Sequence, residues 1–242
     1  VAKRRQAAAT RRERVEQMRR EQQRAERRRT AIIISAAVLL SLVIIGAAAF
    51  VPVKNWITNP ARKPMSAFGV PASEAGLSKI FNDSGAGIND HVDFGQSIDY
   101  KTTPPSSGPH WAQPASFERK FYTPQDRPPL ETLVHNLEHG YTIVWYDETI
   151  AKDSEQLQIL KDIARRFEGR APTNLEEYNT KKFLVAPWKR DEGKFPAGKH
   201  LAFTHWSRTN GHRQYAEKVS GEAIERFMKR FPASDAPEPQ GA

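Results

Sequence analysis

The sequence contains no cysteine, which excludes disulfides, thiolate ligands, thiol redox chemistry and cysteine nucleophiles. Any metal would have to be held by histidine, methionine or carboxylate, and there are only three methionines. Beyond residue 30 the chain also lacks any excess of charge. Of 37 basic and 28 acidic side chains, 12 and 4 fall in residues 1–30, leaving 25 and 24 for the remainder. The net charge of +9 therefore belongs to the N-terminal tail, and nucleic-acid binding by the main domain has no electrostatic support. Charge is absent altogether from Ala31 to Val51, a run of 21 residues.

That run is long enough, as a helix, to cross a hydrocarbon core of roughly 30 Å. Arg27, Arg28 and Arg29 abut its N-terminal end. Positive charge on that side predicts a cytoplasmic tail and an extracytoplasmic C-terminal part, in a single-pass protein of the cell membrane. Trp56 is placed to act as an interfacial anchor on the outer side. Ala47-Ala48-Ala49 resembles a signal-peptide cleavage site, but the charged leader is long and the apolar core exceeds the roughly 7–15 residues of a secretory signal, so an uncleaved anchor is expected. The basic tail, residues 1–30, is helix-favouring without an apolar face and suits a solvated segment lying on the anionic inner leaflet.

After the anchor at 31–51, Pro52, Pro60, Pro64 and Pro71 predict a stalk over 52–75. The segment 82–93 is rich in Gly, Asn and Asp, and Val92, Phe94, Ile98 and Tyr100 suggest one or two short strands. Residues 101–129 read as a loop long enough to be either functional or disordered. A short helix over 130–139 follows, then strand 141–146, an amphipathic helix over 154–167, strands 183–186 and 201–206, and a closing helix over 215–231. This order predicts one α+β domain over 76–232, with helices on one face of a mainly antiparallel sheet and a disordered tail over 233–242.

The chemistry concentrates in His135-Asn136-Leu137-Glu138-His139-Gly140. On a helix His135 and His139 are one turn apart on one face, away from the apolar stripe of Leu130, Leu133, Val134 and Leu137. Gly140 stands where a helix C-terminal glycine belongs. His135, Glu138 and His139 also fit the H-x-x-E-H pattern of zinc proteases, in which the glutamate activates water. The helix is short for that family, and Glu217, Glu222 and Glu225, possible acidic ligands by distance, read as a solvated helix face. His110 is the better third ligand, because Ser106-Ser107-Gly108-Pro109 stiffens the loop that presents it. Three histidines suit zinc or copper, and a thioether would favour Cu(I), though nothing in the sequence brings Met65 to the site. His205 reads as a hydrogen-bonded strand residue, and His91, His200 and His212 as ordinary surface residues. The competing reading is that His110, His135 and His139 bind backbone carbonyls and only pin the loop.

The block Pro104-Pro105-Ser106-Ser107-Gly108-Pro109-His110, with Val134 to Gly140 and the strand after it, resembles the DUF3105 family of bacterial, often actinobacterial, membrane-anchored proteins. The resemblance spans roughly 76–231. It implies that His110, His135, Glu138 and His139 are characteristic residues, and it brings no established activity. The closing strand departs from the family's Ala-Trp-Gly-Arg, having His205-Trp206-Ser207-Arg208, so His205 is not carried over. Three functions are consistent with these features. The first is a non-catalytic copper- or zinc-binding module using His110, His135 and His139 with Glu138. The second is a metal-free structural subunit of a cell-envelope complex. The third is a zinc hydrolase with Glu138 as general base.

Overall fold

The computed structural model describes residues 2–169 and 172–241, with side chains described from residue 14 onward except at 56–58. The Trp56 side chain, expected at a membrane interface, lies outside the described residues. The chain divides into two compact units, 1–59 and 60–242. The first is one helix, α1 (Ala2–Thr58), which runs on through Pro52. Its described side chains are all exposed between residues 14 and 55. It is long and apolar enough to cross a membrane, by length and composition, a test that a signal sequence also passes.

The second unit holds strands β1 (Phe81–Ser84), β2 (His91–Val92) and β3 (His110–Trp111), helix α2 (Leu130–Glu138) and strand β4 (Thr142–Tyr146). There follow helices α3 (Glu148–Lys152), α4 (Ser154–Arg165) and α5 (Leu175–Thr180), strand β5 (Phe183–Pro187), strands β6 (Leu201–Trp206) and β7 (Asn210–Ala216), and helix α6 (Gly221–Arg230). Five strands form one sheet in the order β1-β7-β6-β4-β5, antiparallel except for the β4–β5 pair. β2 and β3 form a separate two-stranded parallel pair in which His91 is in register with His110.

Alternation along the strands builds two cores rather than one. Val144 and Tyr146 of β4 face a core with Leu160 and Ile163 of α4 and Ile224 and Phe227 of α6. Ile143 and Trp145 face the other way, onto Leu133, Val134 and Leu137 of α2. Helices therefore cover both faces, not one as expected. The central strands carry apolar residues at successive positions because both sides are buried, and such a run does not reveal which face a helix will take.

Several segments differ from the sequence reading. The Pro-rich stretch expected as a stalk puts Met65, Phe68, Ala72 and Ala75 into the α4–α6 core, so from residue 60 it is part of the domain. Met65 is thereby core rather than a ligand. Phe94, Ile98 and Tyr100 form no strand, while β1 lies in the polar 82–93 stretch and at its start, paired to β7. The closing helix begins at Gly221, capped by Ser220 Oγ on the Ala223 N–H; Tyr215 and Ala216, assigned to it, finish β7. Over 233–241 the tail packs against the domain instead of being disordered. Ala236 is fully buried, the Glu238 N–H donates to the Glu138 carbonyl (3.0 Å), and the Lys182 amine donates to the Pro239 carbonyl (2.6 Å). On the outer side of β5, the Val185 N–H donates to the Lys120 carbonyl and the Tyr122 N–H to the Val185 carbonyl, both at 2.9 Å.

Candidate metal centre

α2 is buried on nearly every side, including Glu131, His135, Asn136 and Glu138, so the face away from its apolar stripe meets protein rather than solvent. What it meets is the long loop. Asn136 clasps the loop backbone, accepting from the Ala115 N–H (2.9 Å) and donating to the Ala115 carbonyl (3.0 Å). The helix ends as its glycine predicts. Gly140 has φ of 91°, its N–H donates to the Leu137 carbonyl and the Tyr141 N–H to the Asn136 carbonyl. Glu138 and His139 are thus fixed on the last turn.

The loop is built as firmly. Gly108 takes φ of 137°, with the Tyr100 ring against it, and the Tyr100 hydroxyl donates to the Pro109 carbonyl (2.8 Å). The His110 N–H donates to the Asp90 carbonyl (3.1 Å), which holds β3 beside β2. Trp206 of β6 packs edge-on against the His110 ring, with 5.9 Å between centroids.

These supports bring His91, His110, His135 and Glu138 together, with one ligand atom from each lying within 4.8 Å of the others. His110 is fully buried, and its Nδ1 stands 2.8 Å from the Gly108 carbonyl oxygen. His135 Nδ1 stands 2.6 Å from the Trp111 carbonyl oxygen. A carbonyl can only accept, so in both rings the proton sits on Nδ1 and Nε2 carries the lone pair of the neutral ring. Those Nε2 atoms face a carboxylate and a third imidazole. His110 Nε2 is 2.9 Å from Glu138 Oε2, and His135 Nε2 is 3.0 Å from His139 Nε2. The His110–Glu138 pair, two acceptors at that distance, needs a positive centre, either a proton or a metal ion, whereas His139 can give its own Nε2–H to His135. His91 Nε2 is 3.7 Å from the same Glu138 oxygen, and its ring stacks on that of His135.

Electrostatics agree with the geometry. Burial pushes the His135 imidazole down to about 4, against the opposing pull of its bond to the Trp111 carbonyl, so the ring is neutral near pH 7. Burial raises the Glu138 carboxyl, but His110 and the Asn89 side chain more than reverse this and hold it below its ordinary value. Glu138 Oε1 is buried and makes no hydrogen bond of normal geometry.

Of the four residues expected at the site, His110, His135 and Glu138 fall in one group. His139 adjoins it through His135 and belongs to a second group with Glu138 and Glu238. His91 is exposed, as read, yet belongs to the cluster; its partner in the sheet register, 19 positions away, is a relation no local pattern carries. His212, also read as a surface residue, is buried on β7, where it stacks on Phe231. His200 pairs with Asp147 at 2.9 Å. His205 is fully buried, its Nε2 2.9 Å from Asp235 Oδ1, a hydrogen-bonded strand residue as read. Glu217 and Glu222 bind Lys199 and Arg226, and Glu225 binds Lys229, so none approaches the cluster as a third acidic ligand.

Residues 91–242, which contain every member of the cluster, match the family model described as Protein of unknown function (DUF3105). No curated protein and no solved structure matches the chain.

Proposed function

The chain belongs to the DUF3105 family, and we propose that its 60–242 unit is a metal-binding module held at a membrane by the N-terminal helix. One observation carries this reading. Two imidazoles give their Nδ1–H to backbone carbonyls of one loop, which leaves both Nε2 lone pairs for an ion, and His110 Nε2 faces a buried carboxylate. A histidine that ligates a metal characteristically gives its other ring N–H to a carbonyl or carboxylate, which fixes the tautomer before the ion arrives. His110, His135 and Glu138 hold the ion, His91 supplies the fourth donor, and His139 flanks it. Three nitrogens and one oxygen suit Zn(II) or Cu(II). The anchor spans the membrane once, with the basic tail on the anionic cytoplasmic leaflet and the module outside, where partners in the cell envelope are reached.

The alternative, a metal-free structural subunit, puts a proton where the ion would be and makes His110–Glu138 a buried ion pair. Metal analysis separates the two. Metal-stripped, tag-free protein equilibrated with Zn(II) or Cu(II) should retain at least one equivalent after desalting. His110→Ala/His135→Ala should weaken binding at least 100-fold, since two of four donors are gone. Saturating metal at about 100 times Kd should stabilise the wild type by about 2.7 kcal/mol, and a chelator should remove that gain. No retained metal at micromolar concentrations leaves the structural subunit as the reading.

A further inference from the structure

We propose that the centre holds two divalent cations, the second on Glu138, His139 and Glu238, with Glu138 bridging. This rests on the metal-binding reading above and extends it to a site that the H-x-x-E-H spacing does not contain, because Glu238 comes from the far end of the domain. The donors fall into two sets that share only Glu138. In each set all ligand atoms lie within 4.8 Å of one another, and His139 falls with Glu138 and Glu238. Bonds of about 2.0–2.2 Å let one ion span donors at most about 4.4 Å apart, so the two sets fit two ions better than one.

The carboxylate is suited to bridging. Glu138 Oε2 already faces His110 and His91, while Oε1 is buried without a hydrogen bond and is free for a second ion. His139 is likewise supplied. Because His135 Nδ1–H is committed to the Trp111 carbonyl, His135 Nε2 must accept, and His139 Nε2 donates to it across 3.0 Å. An ion on His135 ends that hydrogen bond. His139 Nε2, once its proton has passed to Nδ1 or to solvent, then presents its lone pair on the side of Glu238, whose Oε2 is 3.7 Å away.

Glu238 is placed by backbone, not by a flexible surface contact. Its N–H donates to the Glu138 carbonyl, and the buried Lys182 amine ties the carbonyls of His139 and Pro239 together. Gly241 lies so close to the His139 ring that a Cβ there would overlap it. The C-terminal segment thus delivers a carboxylate to the helix end. One nitrogen and two carboxylates make a harder set than the first, suited to Zn(II), Mn(II) or Co(II) rather than Cu(I).

The test is a titration of metal-stripped, tag-free full chain in detergent with Zn(II), read by calorimetry and by metal content after desalting. Two equivalents are expected. Glu238→Gln, a substitution on a half-exposed side chain, should bind one, with the tighter affinity changed less than threefold. In the Co(II)-loaded protein, X-ray absorption should show metal–metal scattering at about 3.5–4 Å, the usual separation in two-metal sites. One equivalent in the wild type, or two that survive Glu238→Gln, overturns the second site and leaves the first standing. No bound Zn(II) overturns both.

Discussion

His212 sits on the Phe231 ring, 3.8 Å between centroids, with Nδ1 2.7 Å from Asn82 Oδ1 and Nε2 2.6 Å from Ser207 Oγ. Burial, helped by nearby His205, holds this imidazole down to about 4, against 6.5 in an unfolded chain. Between those values the unfolded state binds the extra proton, so stability falls as pH falls from 6.5 toward 4. The full shift corresponds to about 3 kcal/mol. His135, shifted the same way, adds to the loss with the same sign. Urea denaturation of His212→Gln should therefore show a shallower pH dependence across that window than the wild type. Two parallel curves would rule His212 out as the cause. At this scale the sequence was informative for His110, His135 and Glu138, because a turn-rich loop and a helical spacing are local signals. It was silent for His91, His212 and Glu238, whose roles depend on pairings across the fold.

The end of α2 is the element on which the centre depends. Gly140 has a positive φ, and a Cβ there would meet the Ala233 backbone and the Ala236 side chain. Gly140→Ala combines left-handed backbone strain with overpacking, and should cost about 2–4 kcal/mol in a chemical denaturation series. It should also weaken metal binding, since Glu138 and His139 occupy the last turn. Loss of stability at unchanged affinity would show that the site does not need this helix end. Periodicity and the terminal glycine made α2 legible, as β-branched and aromatic runs did for β4 and β6. β1 and β7 were not, because Asn82, Asp83 and Ser84 pair with Asn210, Gly211 and His212 in a polar edge that has no apolar alternation to read. α6 was placed too early for a related reason: Tyr215 and Ala216 satisfy a helical stripe and a strand face equally well.

At the scale of the whole molecule, two-sided burial explains why the domain begins earlier than its composition suggests. Proline content over 52–75 resembles that of a linker, yet Met65 and Phe68 are each only 5 % exposed. A fragment of residues 60–242 should unfold cooperatively without α1. A 76–242 fragment should lose about 3–6 kcal/mol, the burial of Met65 and Phe68, and unfold at lower denaturant. Equal midpoints would return 60–75 to the role of a stalk. The full chain should stay with membranes after alkaline carbonate washing, whereas the 60–242 fragment should be released as soluble protein. The sheet itself bears on how such proteins behave when crowded together. At one margin, residues 120–122 take up the Val185 N–H and carbonyl at the middle of β5; at the other, β1 is four residues long with side chains alternately exposed. Unpaired strand margins are where proteins recruit one another into aggregates. With one margin blocked at its middle and the other short and polar, neighbouring copies have little backbone through which to join sheets, so a high local concentration need not lead to aggregation.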